Sequence, residues 1–161
     1  MPDITVDIWF DFVCPWCHLG KRRWEAALAA DLGLTYRLDQ ARPVNSFDAH
    51  RLLHAAIDRG LGDQVGERML RAYTGEGAHL ADNATLTTLA EEAGFPAESA
   101  QALLRGHDYV DAVRADEDEA RRRGVNGVPS FVIAGRRIIA GAQSPDILLE
   151  ELRLAWRRAT G

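Results

Sequence analysis

The chemistry in this chain gathers at Cys14-Pro15-Trp16-Cys17-His18, which holds the only two cysteines of the sequence. Two thiols at this spacing suit disulfide exchange, in which one thiolate attacks a disulfide sulfur and the second resolves the mixed disulfide. The pair stands where an apolar stretch gives way to a helical pattern, and Pro15 suits a first helical position, where its missing N–H is not needed. Cys14 would then face the unpaired N–H groups of a helix N-terminus, which favour a thiolate. Cys14 therefore reads as the nucleophile and Cys17, one turn on and less exposed, as the resolving thiol. Other readings use the same residues. The cysteines could be two core side chains. Cys-x-x-Cys-His is formally a haem-attachment signature, which would require export and a distal ligand, and a zinc site would have at most three ligands here. A structural disulfide is excluded, because partners this close constrain too short a loop.

The neighbouring residues supply smaller candidates. Asp11, three residues before Cys14, is placed either to accept a proton from Cys17 or to cap the turn into the helix. His18 lies past both cysteines, a position that points to a solvent-facing helix residue, with charge stabilisation of the Cys14 thiolate as the alternative. Trp16 reads as exposed and as a substrate contact, whereas Trp9 and Trp24 read as core. His50 and His54 share a helix face at i, i+4, which suits packing or groove lining better than a metal site.

These residues need elements to position them. Residues 4–10 read as a buried strand of β-branched and aromatic residues. Residues 14–30 read as a helix, with Leu19, Trp24, Ala27 and Leu28 on one face. Gly33 ends it and a second strand follows at 34–39, a β-α-β unit. Residues 45–124 read as helices only, broken at Gly60 to Gly62, Gly75 to Gly77, Gly94 to Pro96 and Gly106. Residues 130–133 and 137–140 read as a hairpin turning at 134–136. The last helix is announced by Ser144 as N-cap, Pro145 at the first position and Asp146 beside the dipole, with an inward stripe of Leu148, Leu152 and Ala155 or Trp156.

Composition bounds the rest. The 161 residues are 47% hydrophobic and 27% charged, enough for one substantial core. The net charge of -5 argues against a nucleic-acid partner, which needs a basic face to neutralise phosphates. No stretch approaches the ~20 apolar residues of a membrane helix. The first residues carry acids and no basic n-region, unlike a secretory signal, so a cytoplasmic location is expected.

The motif, its flank Leu19-Gly20-Lys21-Arg22-Arg23, the distant Gly124-Val125-Asn126-Gly127-Val128-Pro129-Ser130-Phe131, and the helical stretch from Asn45 to His54 together resemble the DsbA-like thioredoxin family, specifically its cytoplasmic FrnE-type branch. Gly141-Ala142-Gln143 fits it too, so the likeness spans nearly the whole chain. It implies an α/β thioredoxin fold, with β-α-β and β-β-α halves, formed by residues 1–43 and 124–161, and an all-helical insertion over 44–123. It also implies a cis peptide before Pro129 facing the cysteines, with Val128 offering backbone groups to an extended substrate. The alternative for Pro129 is an ordinary trans proline opening a strand. The implied activity is thiol-disulfide oxidoreductase or isomerase, needing no cofactor or metal and acting on protein or small-molecule thiols. Two alternatives share the fold: a glutathione-dependent isomerase or transferase of the hydroxychromene-carboxylate or kappa type, in which serine usually replaces Cys14, and a non-catalytic, chaperone-like module. The chain departs from the FrnE pattern in having only residues 40–44 between the second strand and the helix after Asn45. The shortened connection leads us to expect an intact core and an open groove beside Trp16 and Pro129, bounded by the helical lobe on one side.

Overall fold

The computed structural model describes residues 5–28, 43–135 and 137–160. The first strand is β1, Val6–Trp9, and the chain then turns at Phe12–Val13 into α1, Pro15–Leu28. The second strand expected at 34–39 lies outside the described residues. Five helices follow: α2 (Phe47–Ile57), α3 (Gly62–Glu76), α4 (Asn83–Glu92), α5 (Ala97–Arg105) and α6 (Val110–Arg122). Each boundary between α2 and α6 falls at one of the expected glycine breaks. At the end of α3, for example, Gly77 takes the left-handed conformation (φ 70°) that closes a helix most readily without a Cβ. The hairpin β2 (Ser130–Ile133) and β3 (Arg137–Ala140) and the final helix α7 (Pro145–Thr160) complete the order. Ser144 caps α7 as expected, its Oγ accepting from the Ile147 N–H at 3.4 Å.

Among the described residues the sheet runs β1-β2-β3, antiparallel throughout, with Val6 opposite Ile133 and Trp9 opposite Ser130. β1 and β3 both flank β2. The expected burial of β1 is corrected: Ile8 is 37% exposed and Trp9 only half-buried. Its partner β2 is buried at every position.

Apolar burial divides into two clusters. The smaller joins Phe131, Ile133, Ile139 and Leu148, with Val6, Trp24, Leu152 and Ala155 packed on it. Trp24 stacks on Phe131 at 5.4 Å, fixing α1 to the sheet, whereas Trp156 stays 37% exposed, so Ala155 completes the stripe of α7. The larger cluster is built by α2 to α5 and includes Phe12, which is fully buried. The turn before Cys14 is thus pinned into the helical lobe by an aromatic anchor.

The lobe also contains a buried cation. Arg51 is 4% exposed, and its guanidinium donates to the carbonyls of Leu103, Gly106 and Asp108 and to the Asp48 carboxylate. Helix C-termini leave carbonyls without intrahelical partners. The planar fork of Arg51 supplies donors to those ending α5 and fixes α2 against it.

Candidate active site

Cys14 stands immediately before α1, with its N–H bonded to the Asp11 carbonyl (3.2 Å) and its own carbonyl accepting from the Cys17 N–H (2.9 Å). Its side chain is partly exposed. Cys17, one turn later, is 1% exposed. The order of accessibility expected from the sequence is the one observed. Burial pushes the Cys17 thiol well above its ordinary value, the negative charges of Cys14 and Asp11 add to the shift, and the Asp11 N–H, which reaches Cys17 Sγ at 3.4 Å, opposes it.

From the far end of the chain, the segment before β2 completes the site. The Val128–Pro129 peptide is cis, and Cys14 Sγ lies 3.6 Å from the Val128 carbonyl oxygen. A bond between residues 114 positions apart shows that the two stretches meet. Gly20 makes the approach possible: a Cβ there would sit 2.7 Å from Pro129 Cγ. Trp16, between the cysteines, is 63% exposed, and Val128 is 38% exposed. Together they form an open rim around Cys14.

Asp11 is a hub on the other side. Its Oδ1 accepts from Ser46 Oγ (2.7 Å) and the Val13 N–H (3.2 Å) and lies 3.5 Å from His50 Nε2. Partial burial alone would raise its titration, but the hydrogen bonds from His50, Ser46 and Val13 outweigh burial and hold the carboxyl below the usual range. The bond to Val13 is the turn cap foreseen from the sequence. His50 and His54 share a face as expected, yet take different partners: His54 Nε2 lies 2.9 Å from Asp116 on α6. Both line a cavity of about 1110 Å³ between β1, α2 and α6 that reaches Asp11 and Val128. Neither Trp16 nor Pro129 lines it. This cavity is distinct from the expected groove beside those two residues. Trp9 borders this cleft instead of the core, with the Arg123 guanidinium over its ring at 5.2 Å.

His18 also departs from expectation. It is 1% exposed, not solvent-facing, because α3 packs over this part of α1. Its partners are Thr74 and Glu67, both on α3. Neither was singled out from the sequence, and neither was Tyr73, which is 3% exposed and whose titration is raised by burial and then by the nearby charges of Asp11 and Cys14.

The DSBA-like thioredoxin domain matches residues 5–32 and 26–153. The chain belongs to that family. The DSBA-like match comes in two pieces meeting at 26–32, close to the shortened connection. The Bacillus subtilis protein YwbO is 24% identical over 187 aligned positions, covering 89% of this chain and 93% of that protein. That alignment exceeds the 161 residues of this chain, so YwbO carries residues that this DSBA-like chain lacks. A probable DsbA oxidoreductase from Streptomyces coelicolor is 30% identical, with a TM-score of 0.91, over 96% of this chain and 90% of its own. A cytosolic disulfide reductase, DsbM, from Pseudomonas aeruginosa shares the fold at 20% identity, with a TM-score of 0.68, over 95% of this chain and 98% of its own. The thioredoxin-like fold expected from the sequence is borne out, and so is the enzyme class, DsbA-like thiol-disulfide oxidoreductase. No helix among the described residues is long and apolar enough to cross a membrane.

Proposed function

We propose that the protein exchanges disulfides through Cys14 as nucleophile and Cys17 as resolving thiol. The observation that carries this reading is the asymmetry of the pair: Cys14 partly exposed at the start of α1 and 3.6 Å from the Val128 carbonyl, with Cys17 1% exposed behind it. In the reducing direction the Cys14 thiolate attacks one sulfur of a substrate disulfide, and the other sulfur leaves as a thiolate and takes up a proton. Cys17 then loses its proton and attacks Cys14 Sγ, expelling the second substrate thiol. The substrate gains two electrons as the Cys14–Cys17 disulfide forms. Running the same steps backwards oxidises a dithiol.

The raised Cys17 titration suits this order, because a thiol kept protonated does not compete for the incoming disulfide. Trp16, Val128 and Pro129 form the substrate rim, with the backbone of Val128 offered to an extended chain. Asp11 holds the turn and presents its N–H to Cys17 Sγ. Its carboxylate, stabilised by three hydrogen bonds, serves as a fixed negative charge and a weak proton acceptor. His18, buried against α3, is the candidate for stabilising the Cys14 thiolate.

The partners we propose are small or protein thiols and disulfides, in the cytoplasm, and the finer family placement is the FrnE-type branch. The likeness to the cytosolic reductase, whose fold is also known with GSH, supports a small-thiol partner. Turnover of glutathione disulfide and of a disulfide in a folded protein tests the reading. We expect turnover of the small substrate, abolished by Cys14→Ser. Activity that survives Cys14→Ser, or that is confined to the folded protein, would overturn it.

A further inference from the structure

His18 is the one histidine among the fully buried side chains of the described residues. An imidazole so deeply placed needs partners for both ring nitrogens, and the chemistry of those partners determines which nitrogen carries hydrogen. Nδ1 lies 2.8 Å from Thr74 Oγ1. The single hydroxyl proton of Thr74 is already donated to the Leu70 carbonyl at 2.8 Å. Toward the ring, Thr74 therefore accepts, and Nδ1 carries hydrogen. Nε2 faces Glu67 Oε1 at 3.5 Å. An ionised carboxylate has only lone pairs to offer, and at this separation, longer than a full hydrogen bond, its charge favours a hydrogen on Nε2 as well.

The other charges at this junction are arranged around the same carboxylate. Lys21 Nζ lies 3.1 Å from Glu67 Oε2 and 3.2 Å from Asp63 Oδ1, and Arg22 approaches Glu67 at 3.8 Å. Asp11 and Tyr73 face the cysteine side. The His18 bond, against partial burial and with help from Lys21, holds Glu67 down at about 2, so it is ionised at neutral pH.

We propose that Glu67 and Thr74 of α3 hold His18 as an imidazolium, and that this cation, four residues beyond Cys14 on α1, sustains the Cys14 thiolate. Glu67 and Thr74 are then positioning residues for disulfide exchange, supplied by the helical lobe to a thiol on the thioredoxin half. The inference rests on the reading of Cys14 as nucleophile.

It makes a prediction of sign. Acting directly, the negative charge of Glu67 opposes a thiolate, so Glu67→Gln would make Cys14 more reactive, and Lys21 and Arg22, no longer offset by that charge, would add to the gain. Acting through His18, the same substitution removes the carboxylate charge that favours the second ring proton and has the opposite effect.

The test follows iodoacetamide alkylation of the reduced, full-length protein against pH, with the modified residue mapped by mass spectrometry. We expect Glu67→Gln and His18→Asn each to move the profile to higher pH, with alkylation at neutral pH slowed on the order of threefold to tenfold. The double substitution should slow it no further than His18→Asn alone, as for residues acting in one chain. A profile moved to lower pH, an unchanged profile, or additive effects would overturn the proposal. Nitrogen NMR of the His18 ring in the unsubstituted protein gives a readout independent of folding in the variants. Two protonated nitrogens at neutral pH are expected, and a neutral tautomer refutes the proposal. A neutral His18 in a protein that still alkylates at Cys14 overturns this inference alone. Alkylation at Cys17 instead overturns the assignment of the nucleophile and the thiolate half of this inference together.

Discussion

Replacing Gly20 with alanine tests whether α1 and the Val128–Pro129 segment meet as closely as described. Gly20 lies inside α1, where exchange of glycine for alanine ordinarily stabilises a helix by ~1 kcal/mol. Here the new methyl would sit 2.7 Å from Pro129 Cγ, 3.2 Å from Pro129 Cβ and 3.5 Å from Phe131 Cζ. Carbon atoms rest at about 3.5–4.0 Å, so the two segments must part by roughly 1 Å. The proline ring is rigid and joined to the backbone, and relief by rotating a side chain is not open to it. Overpacking of this kind costs about 1–3 kcal/mol, which meets or exceeds the helix gain. The functional effect should be larger. The Val128 carbonyl, 3.6 Å from Cys14 Sγ, would move out of hydrogen-bonding range, and a ~1 Å misplacement at a reacting centre can lower a rate about a hundredfold. Urea unfolding and turnover of a small disulfide, measured on the same preparation, read both effects. We expect a net loss of up to about 2 kcal/mol and a much larger fall in turnover. A variant stabilised by the full helix gain with unchanged turnover would refute the contact and the placement of Val128 beside the thiol.

Further outcomes follow from the same structure. Arg51→Met should destabilise the protein by about 3 kcal/mol, read as a lowered denaturation midpoint, because a buried charged donor to three carbonyls is lost; Arg51→Lys should not restore it, since an ammonium cannot reproduce the planar fork. Phe12→Ala should cost about 3–5 kcal/mol by emptying a fully buried site in the helical core, and urea titration would show it. Glu67 is held at about 2 in the folded protein against an ordinary 4.5. The unfolded chain thus binds more protons in this window, and the Glu67 contribution is complete above about 4.5 and lost as pH falls toward 2. Unfolding midpoints compared across that range should fall less steeply in Glu67→Gln.

The parts legible in the sequence were those governed by local chemistry. Pro15 and the cysteine spacing located the start of α1, the glycines marked the breaks between helices, and Ser144-Pro145 announced α7. What escaped depends on contacts between distant segments. His18 looks solvent-facing when α1 is read alone. Its burial is decided by α3, and the residues that receive it, Glu67 and Thr74, lie 49 and 56 positions away. A signal for that contact existed in Lys21, the sole lysine of the chain, standing one turn beyond Cys17 and pairing with acids on α3. Arg51 left a trace as well, an arginine among the apolar Ala49, Leu52, Leu53, Ala55 and Ala56 of α2. Trp9 and Ile8 were assigned to a buried strand from their residue types, which cannot say which side of a sheet borders a cavity.

The central claim is that Cys14 attacks and Cys17 resolves. It is tested most directly by incubating Cys17→Ser and Cys14→Ser proteins with glutathione disulfide and mapping the adducts by mass spectrometry. The account predicts a stable mixed disulfide on Cys14 in the Cys17→Ser protein and almost none on Cys17 in the Cys14→Ser protein, because that sulfur is 1% exposed and held protonated. Equal labelling of the two variants, or labelling of Cys17 alone, would contradict it.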